Sequence, residues 1–377
     1  MKVAVFFTWD YSLNTWHESG TIGRELKFFK SLEEEKKNIS FIYFTYGNSS
    51  EYKLAKKHNI NEVYPVYKST TYYKNKVIRI LSSFFIPLKL KNKINNLDIL
   101  YQNQLLGCWV PILIKKIYKK PLIIRTGYDM HDFAKQDKKS SLIIFLYKIL
   151  TIFAVKNCDY FTVTSRADLN RFENSYPKYR HKFLLRPNWV EVDELNDFKN
   201  RYSNKLLAVG RLVPQKNFKY LISEFANSKN NLQIDIVGNG PEKNNLTTQA
   251  KNHYVKINFL GNLSNSKLLK LYQQYKFFIS TSLFEGNPKA LLEAMGSGCV
   301  VIASNIKNHS DIISDNRNGY LFDIGNNNLN NKFKMLTQTD TNFSKISKDA
   351  YLFIKDEYSL NKSINSFYED FERTLSK

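Results

Sequence analysis

Strand-like and helix-like segments alternate along this chain of 377 residues, and the alternation occurs twice. The first series of strand-like apolar runs comprises residues 2–7, 39–45, 99–102, 122–126 and 160–164. The second comprises residues 206–209, 232–237, 256–260, 277–280 and 300–303. Because parallel strands need crossover connections of about a dozen residues or more, usually a helix, this spacing predicts parallel sheets covered by helices.

A break between Arg186 and Asn204 separates the two series. Its Pro-Asn-Trp start and acidic, Asn-rich continuation have linker composition and no strong periodicity. We therefore predict an α/β protein of two Rossmann-like β/α/β domains that face a central cleft. The predicted bounds are 1–187 for the N-terminal domain, 188–204 for the linker, 205–345 for the C-terminal domain and 346–377 for a helical segment.

The ends of the chain carry further local signals. The opening strand is followed by a loop with Gly20 and Gly23, and then by a helix. A polar, Asn-rich segment around residues 326–345 precedes a last helix over about residues 360–375. The apolar face of the first predicted helix comprises Leu26, Phe29 and Leu32.

Composition excludes several classes of protein. A hydrophobic content of 43% with 15% aromatic residues is that of a folded chain and not of a disordered one. The longest apolar stretch, residues 141–155, is too short for a transmembrane helix and carries Lys148. The first apolar run lacks the features of a secretory signal, so we expect a mature chain from Met1 and a cytoplasmic location. Three distant cysteines indicate buried apolar residues and neither disulfides nor a metal site: Cys108, Cys158 and Cys299.

The densest chemical signal lies in residues 284–295, after one strand and at the start of a helix. Asn287 suits the N-cap and Pro288 the first helical position. The amides of Lys289 and Ala290 would then point into the space before the helix, where an anion binds favourably. Gly286 lets backbone approach a ligand closely. This segment predicts a phosphate or diphosphate site.

Two carboxylates flank that site, Glu285 just before the helix and Glu293 eight residues on. A carboxylate accepts hydrogen bonds from sugar or ribose hydroxyls, so the pair suggests a nucleotide sugar. The alternative is that Glu285 caps the helix and Glu293 lies on its solvated face.

Two other loops follow strands of the same series. Gly210 introduces a loop that carries Arg211 and Lys216, two cations able to neutralise a diphosphate at the carboxyl edge of a sheet. Gly238 and Asn239 begin another loop that could bring backbone near a base or ribose. For the two cations the alternative is surface solvation.

These residues resemble the nucleotide-sugar-binding domain of the group 1 (family 4) retaining glycosyltransferases, which have the GT-B fold. The family's two glutamates separated by seven residues match Glu285 and Glu293, and its basic pair matches Arg211 and Lys216. The likeness is strong over residues 205–325. It is weak in the N-terminal half, where Gly20 matches the glycine-bearing first loop.

The resemblance implies a donor site in the C-terminal domain, an acceptor site in the N-terminal domain, and a last helix that crosses back to the first. It implies that Glu285 binds hydroxyls of the transferred sugar, Glu293 binds the ribose hydroxyls, and Leu263 contacts the nucleobase through its backbone. It also implies catalysis without metal or cofactor, because cations and the helix dipole stabilise the departing diphosphate. The residues assigned to the diphosphate are Arg211, Lys216 and the amides of Gly286, Asn287, Pro288, Lys289 and Ala290, of which Pro288 has no amide hydrogen to give.

One position departs from the family pattern. Many relatives carry a His after the strand at residues 122–126, where this chain has Thr126. His131 is not an obvious replacement, so we assign Asp129 or Arg125 to orienting the acceptor or donor sugar. The alternative for these two is an Asx-type turn and a surface ion pair. His17 and His309 have no motif support.

The net charge of +22 is unevenly distributed. Residues 51–150 hold 19 Lys/Arg and 6 Asp/Glu, a net +13, and residues 64–93 interleave basic and aromatic side chains. Such a segment suits an anionic bilayer surface, which predicts peripheral attachment at the inner face of the plasma membrane. A solvated basic face is the alternative, and nonspecific nucleic acid binding a weaker one, because no nucleic-acid-binding motif is present.

The sequence thus predicts a retaining, metal-independent hexosyltransferase. Its donor is a nucleoside-diphosphate sugar, which we expect to be a UDP-sugar, and its acceptor a growing, lipid-linked surface glycan of bacterial polysaccharide, capsule or lipopolysaccharide. The enzymatic alternative is a nucleotide-sugar epimerase of the same fold. The other is a non-catalytic basic protein that binds membranes or polyanions.

Overall fold

The computed structural model describes residues 1–67, 75–226, 232–339 and 341–376. The chain forms two compact units. The first comprises Met1–Arg186 together with Ile364–Lys377, and the second comprises Pro187–Ser363. Each unit is built on one parallel sheet.

The sheet of the first unit has seven strands in the order β3-β2-β1-β4-β5-β6-β7, all parallel. Its strands are β1 (Lys2–Phe6), β2 (Ser40–Thr45), β3 (Val63–Pro65), β4 (Ile99–Gln102), β5 (Leu122–Thr126), β6 (Tyr160–Val163) and β7 (Phe183–Leu185). The five inner strands β1, β2, β4, β5 and β6 are almost wholly buried, as strands covered by helices on both faces must be.

The connections of the first unit are helical. Its helices are α1 (Leu13–Glu18), α2 (Ile22–Glu35), α3 (Glu51–Lys57), α4 (Lys76–Ser83), α5 (Ile86–Lys89), α6 (Lys91–Ile94), α7 (Trp109–Tyr118), α8 (Met130–Gln136), α9 (Ser141–Asn157) and α10 (Arg166–Ser175). A 3-10 helix, Pro177–Lys182, precedes β7. The predicted apolar face at Leu26, Phe29 and Leu32 is buried, which confirms that prediction. Gly23, by contrast, lies inside α2 and not in a loop. The short helix α1 ends at Glu18, and α2 already begins at Ile22.

The sheet of the second unit has six parallel strands in the order β10-β9-β8-β11-β12-β13. They are β8 (Tyr202–Val209), β9 (Gln233–Val237), β10 (Lys256–Gly261), β11 (Tyr275–Ser280), β12 (Val300–Ser304) and β13 (Tyr320–Phe322). The helices are α11 (Phe218–Glu224), α12 (Lys243–Asn252), α13 (Asn265–Tyr272), α14 (Lys289–Gly296), α15 (Lys307–Ser310), α16 (Asn328–Gln338) and α17 (Phe343–Glu357). Two 3-10 helices, Phe198–Asn200 and Pro214–Lys216, flank β8.

Side chains of this second sheet alternate between two buried clusters. Leu206 and Ala208 of β8 pack in one cluster, and Leu207, between them, packs in the other. Both faces of the sheet are therefore covered, and the α/β class predicted from the doubled pattern is confirmed.

The last helix, α18 (Leu360–Leu375), contributes its residues from Ile364 onward to the first unit. Phe367 packs edge-on against Phe28 and Tyr101, with ring centroids 5.0 and 6.0 Å away. The buried carboxylate of Asp370 accepts two hydrogen bonds from the Arg186 guanidinium, at 2.6 and 2.7 Å. Such a bidentate pair ties the C-terminal end of the chain to β7.

The sequence reading misses three strands of three residues each: β3, β7 and β13. Each lies at an edge of its sheet, and a run this short shows no measurable period. The polar segment around residues 326–345, to which the sequence analysis assigned no element, contains α16, which buries Leu329 and Phe333. Strand β8 also begins at Tyr202, within the predicted linker. Among the described residues, no helix combines the length and apolar composition needed to cross a bilayer.

Candidate functional site at the carboxyl edge of the second sheet

Strand order in the second sheet reverses between β8 and β11, which are neighbours although two βα units separate them in sequence. The loops that leave β8 and β11 depart in opposite directions, so a crevice opens between them outside the carboxyl ends of the strands. The loop after β8 carries Arg211 and Lys216, and the loop after β11 carries Glu285. The topology therefore brings the two main sequence motifs to one edge.

Glu285 is held by both loops. Its Oε1 accepts hydrogen bonds from Lys216 Nζ and from Ser282 Oγ, the latter at 2.6 Å. Gln215 Nε2 lies 3.4 Å from Oε2. The carboxylate caps no helix, so that alternative is wrong. Lys216, assigned from sequence to a diphosphate, pairs with Glu285 here and fixes its position.

Two glycines allow these loops to pack closely. A Cβ on Gly210 would lie 3.0–3.2 Å from the Lys216 side chain, which crosses the glycine on its way to Glu285. Gly238 has φ +141°, and a Cβ there would overlap the Gly210 carbonyl oxygen at 1.9 Å. The close approach made by Gly238 is therefore to neighbouring backbone. A role toward a base or ribose stays a prediction for Gly238 and Asn239.

The helix after Glu285 begins one residue later than predicted. Pro288 is the N-cap and Lys289 the first helical residue of α14. The amides of Leu291 and Leu292 donate to the Pro288 carbonyl at 3.0 and 3.1 Å. Asn287 is not the cap, because its Oδ1 accepts from the Asn188 amide at 3.3 Å. The positive end of the α14 dipole still opens beside Glu285.

Glu293 lies on the buried side of α14, and only 5% of its surface is exposed. Tyr272 Oη donates to its Oε2 at 3.5 Å, and Lys289 Nζ lies 4.0 Å from Oε1. The solvated helix face considered for Glu293 is therefore wrong. Burial, and then the Glu293 charge, raise the pKa of Tyr272 well above its usual value, which keeps the phenol a donor.

Three residues that the sequence analysis did not assign support the Glu285 loop: Ser304 at the end of β12, and Asn308 and His309 in α15. Ser304 Oγ donates to the Ser282 carbonyl at 2.6 Å. Asn308 Nδ2 donates to the Gly286 carbonyl at 2.5 Å. Both donors are buried, so they hold the loop in one conformation.

His309 is the third of these residues and is fully buried. Its Nδ1 lies 2.8 Å from the Ser304 carbonyl, while its Nε2 is buried and has no hydrogen-bond partner among the described residues. Burial lowers the pKa of His309 to about 4, although the charge of Glu285 acts in the opposite direction. A neutral ring that donates through Nδ1 follows. Nothing in the sequence motif signals this position.

The remaining residues predicted for the donor site lie in several different places. Arg211 is exposed, and its guanidinium makes no hydrogen bond or ion pair with another described residue. Leu263 is half-buried against the core cluster beneath β8, and Ala290 packs against the same cluster. Gly20 belongs to the first unit, where it has φ +70° and donates to the His17 carbonyl at 3.0 Å.

In the first unit, the position that many relatives give to His is structural. Thr126 is buried, and its Oγ1 donates to the Tyr128 carbonyl at 2.6 Å. Asp129 is the N-cap of α8, where Oδ1 accepts from the amides of His131 and Asp132 at 3.0 and 3.3 Å. The Asx-type alternative for Asp129 is thus present, and burial raises the pKa of its carboxyl.

A cavity of about 350 Å³ lies beside Asp129. Arg171 Nη1 enters it and lies 3.0 Å from both Asp132 and Asp168, and 3.8 Å from Asp129. Burial raises the pKa of Asp168 to about 6. The cavity is also lined by His131, Lys135, Lys148 and Tyr176.

Residues 193–351 match the family model of glycosyl transferases group 1. A curated relative from Campylobacter jejuni subsp. jejuni serotype O:2 is GalNAc-alpha-(1->4)-GalNAc-alpha-(1->3)-diNAcBac-PP-undecaprenol alpha-1,4-N-acetyl-D-galactosaminyltransferase. It is 26% identical over 333 residues, which cover 87% of this chain and 88% of the relative.

A second relative, from Escherichia coli, is UDP-Gal:alpha-D-GlcNAc-diphosphoundecaprenol alpha-1,3-galactosyltransferase. It is 26% identical over 66% of this chain and 65% of its own length. Among solved structures, Anabaena Alr3699/HepE in complex with UDP superposes with a TM-score of 0.76 at 15% identity, covering 99% of this chain and all of that one. At this identity the likeness shows the fold, which is GT-B. The predicted resemblance is confirmed: residues 193–351 match the model of the group 1 glycosyl transferases, the chain has the GT-B fold, and its curated relatives support a glycosyltransferase.

Proposed function

We propose that this protein is a retaining, metal-independent hexosyltransferase that takes its sugar from a nucleoside-diphosphate sugar, with UDP as the expected nucleotide. The observation that carries the proposal is the grouping at the reversal point of the second sheet. There the paired Glu285 carboxylate, the exposed Arg211 guanidinium and the first turn of α14 share one edge.

The charge of each group decides which part of the donor it binds. Arg211 and the amino end of α14 attract the diphosphate and stabilise the charge that develops on it as it leaves. Glu285 cannot favour a phosphate, so it accepts hydrogen bonds from hydroxyls of the transferred sugar. Lys216 holds that carboxylate in place and keeps positive charge near the leaving group. These groups supply in outline what a metal ion supplies elsewhere, which supports a reaction without one.

The transfer breaks the bond between the anomeric carbon and the diphosphate oxygen and forms one to an acceptor hydroxyl oxygen. The acceptor's proton passes to an oxygen of the leaving diphosphate, which acts as the base. Thr126 therefore need not act as a base, and its hydroxyl is already engaged. Asp129 remains proposed on the acceptor side, beside the cavity that it lines.

The acceptor we propose is a growing, lipid-linked surface glycan, met at the inner face of the plasma membrane. Its support is chemical likeness, since the relatives from Campylobacter jejuni and Escherichia coli are named for acceptors on diphosphoundecaprenol or its equivalent. The names also do not favour an epimerase or a non-catalytic protein.

Calorimetry with purified protein tests the donor assignment. We expect UDP or GDP, but not both equally, to bind without magnesium, and one of the corresponding nucleotide sugars to bind more tightly. Release of free nucleoside diphosphate only after a lipid-linked acceptor is added would then separate transfer from epimerisation. Folded protein that binds no nucleotide, or binds only with magnesium, would overturn the proposal.

A further inference from the structure

Helix α9 presents an apolar stripe to solvent. Leu142, Phe145, Leu146 and Ile149 follow the spacing i, i+3, i+4, i+7, which places them on one side of the helix. Their exposed fractions are 66%, 58%, 52% and 47%. In a water-soluble helix this spacing normally marks the buried side, so the stripe is a face without its partner.

A second exposed apolar stripe runs along α4 and α5. Val77, Leu81, Phe85 and Leu88 are each about 60% exposed. The sequence predicted a basic, aromatic surface over residues 64–93, of which 68–74 lie outside the described residues. Two of its members are not on the surface. Tyr67 is buried, and Arg79 is buried and pairs with Asp10 at 2.8 Å, so the apolar residues dominate the stripe.

Helix α7 lies between the two stripes. It contacts both α5 and α9. Tyr118 Oη donates to the Pro87 carbonyl at 3.3 Å, and Lys116 Nζ lies 5.6 Å from the Phe153 ring centroid. On its outer side α7 exposes Ile117. The stripes therefore belong to one layer of helices, which we call the α4–α9 face.

Exposed lysines accompany this face: Lys76, Lys89, Lys91, Lys93, Lys116, Lys119 and Lys148. The surrounding residues 51–150 carry 19 basic and 6 acidic side chains. Such an excess of positive charge disfavours binding of a second copy of the same chain, because the lysines of the two copies would repel each other. Apolar side chains rimmed by lysines are complementary to an anionic bilayer, whose headgroups meet the lysines while its acyl region accepts the apolar stripes.

We propose that the α4–α9 face docks onto an anionic lipid bilayer, with the side chains of both stripes inserted at the headgroup boundary. The inference rests on the proposed function only in that a lipid-linked acceptor gives such docking a use. Docking itself needs neither nucleotide nor acceptor.

Vesicle sedimentation tests the proposal directly. Vesicles of about one third phosphatidylglycerol in phosphatidylcholine should bind the protein, and phosphatidylcholine alone should bind it weakly. The pairs Phe85→Ser with Leu88→Ser, and Phe145→Ser with Ile149→Ser, should each lower the partition coefficient about tenfold or more. The control pair, Met335→Ser with Leu352→Ser, removes exposed apolar residues from the second unit and should change nothing.

The charge contribution has its own matched pair. Lys89→Gln with Lys91→Gln should lower binding about 25-fold, roughly fivefold for each lysine. Lys334→Gln with Lys345→Gln makes the same change of charge in the second unit and should have little effect.

Site-specific labelling avoids dependence on folding of the double variants. The three native cysteines are buried, and burial raises the pKa of the Cys158 and Cys299 thiols to about 12, so a new exposed thiol labels selectively. A polarity-sensitive dye on an Ile149→Cys variant should shift to the blue with anionic vesicles, and on a Met335→Cys variant it should not.

Equal vesicle binding by the stripe variants and wild type, or no binding at all, would overturn the proposal. So would light scattering that shows a wild-type dimer and monomeric stripe variants, because the face would then join two copies. Calorimetry with the nucleotide on the same samples reports the donor site separately, so loss of docking and failure of the proposed function are distinguishable.

Discussion

The two units hold carboxylates near the carboxyl edges of their sheets in different ways. In the second unit, Glu285 is bonded by Lys216 from a loop 69 residues away in sequence and by the nearby Ser282. In the first, Asp129 is bonded by backbone amides of its own helix, and Arg171 is shared among three carboxylates. A group held by other loops is positioned for a ligand, whereas a group that caps its own helix already has a structural role.

The largest expected effect is on Glu285→Ala. Turnover should fall about 100-fold or more, while nucleotide affinity stays within a few-fold, because in the proposed function the carboxylate binds the sugar and not the diphosphate. Steady-state kinetics and calorimetry on one preparation measure both. Glu357→Ala, which removes an exposed carboxylate paired with Lys362, is the control and should leave both unchanged. Equal losses of affinity and turnover would contradict a role of Glu285 that is confined to the sugar.

His309 should make folding of the second unit sensitive to acid. Its folded pKa, about 4, lies below the usual 6.5, so the unfolded state binds the proton first as pH falls. Stability is therefore complete above about pH 6.5 and is lost toward pH 4, by up to about 3 kcal/mol. Urea unfolding across this range should show a shallower loss for His309→Asn, which keeps a donor toward Ser304. The exposed His181→Asn should follow the wild type, and identical slopes for all three proteins would contradict the prediction.

Arg211→Ala should weaken nucleoside diphosphate binding about 10- to 100-fold, since a charge-assisted hydrogen bond to phosphate is worth roughly 1.5–3 kcal/mol. Arg211→Lys should recover part of the affinity, because a lysine keeps the charge without the planar fork. Calorimetry at two salt concentrations measures the effect. Unchanged affinity would mean that the diphosphate is held by the α14 amides alone.

The smallest effect is expected at Asp129. As an N-cap it contributes about 1 kcal/mol, so Asp129→Ala should lower the unfolding temperature by a few degrees. Asp129→Asn retains the cap and should retain that stability. If Asp129→Asn also keeps turnover with a lipid-linked acceptor, the charge has no part in catalysis. A large loss of turnover in this stable variant would show that the Asp129 carboxylate acts in the reaction. Asp129 would then differ from Glu285 in how it is held but not in having a functional role.

Much of the fold could be predicted because long, buried strands leave a clear pattern. The run at residues 122–126 coincides with β5, and the last helix coincides with α18. The edge strands β3, β7 and β13 were not predicted, because three residues cannot show a period. Helix α16 was not predicted, because its exposed side is rich in Asn. Local propensity there is overridden by burial of one face.

The site was predictable where side-chain chemistry and spacing carry the information. The loops that carry the basic pair and Glu285 follow neighbouring strands of one sheet, as their places after strand-like runs predicted. The partners of these residues were not predictable. Gly210 leaves room for the Lys216 side chain on its way to Glu285, and the contact between these two residues joins loops that are distant in sequence.

The sequence by itself determined the α/β class, the doubled βα pattern and the choice of candidate residues for a nucleotide sugar, because periodicity and side-chain type are local properties. Only the tertiary structure decided that Lys216 pairs with Glu285, that Glu293 is buried, that Asn308 and His309 support the Glu285 loop, and that α9 exposes an apolar stripe. Each depends on which distant segments pack together. Burial and pairing are set by that packing, and no single stretch of sequence encodes it.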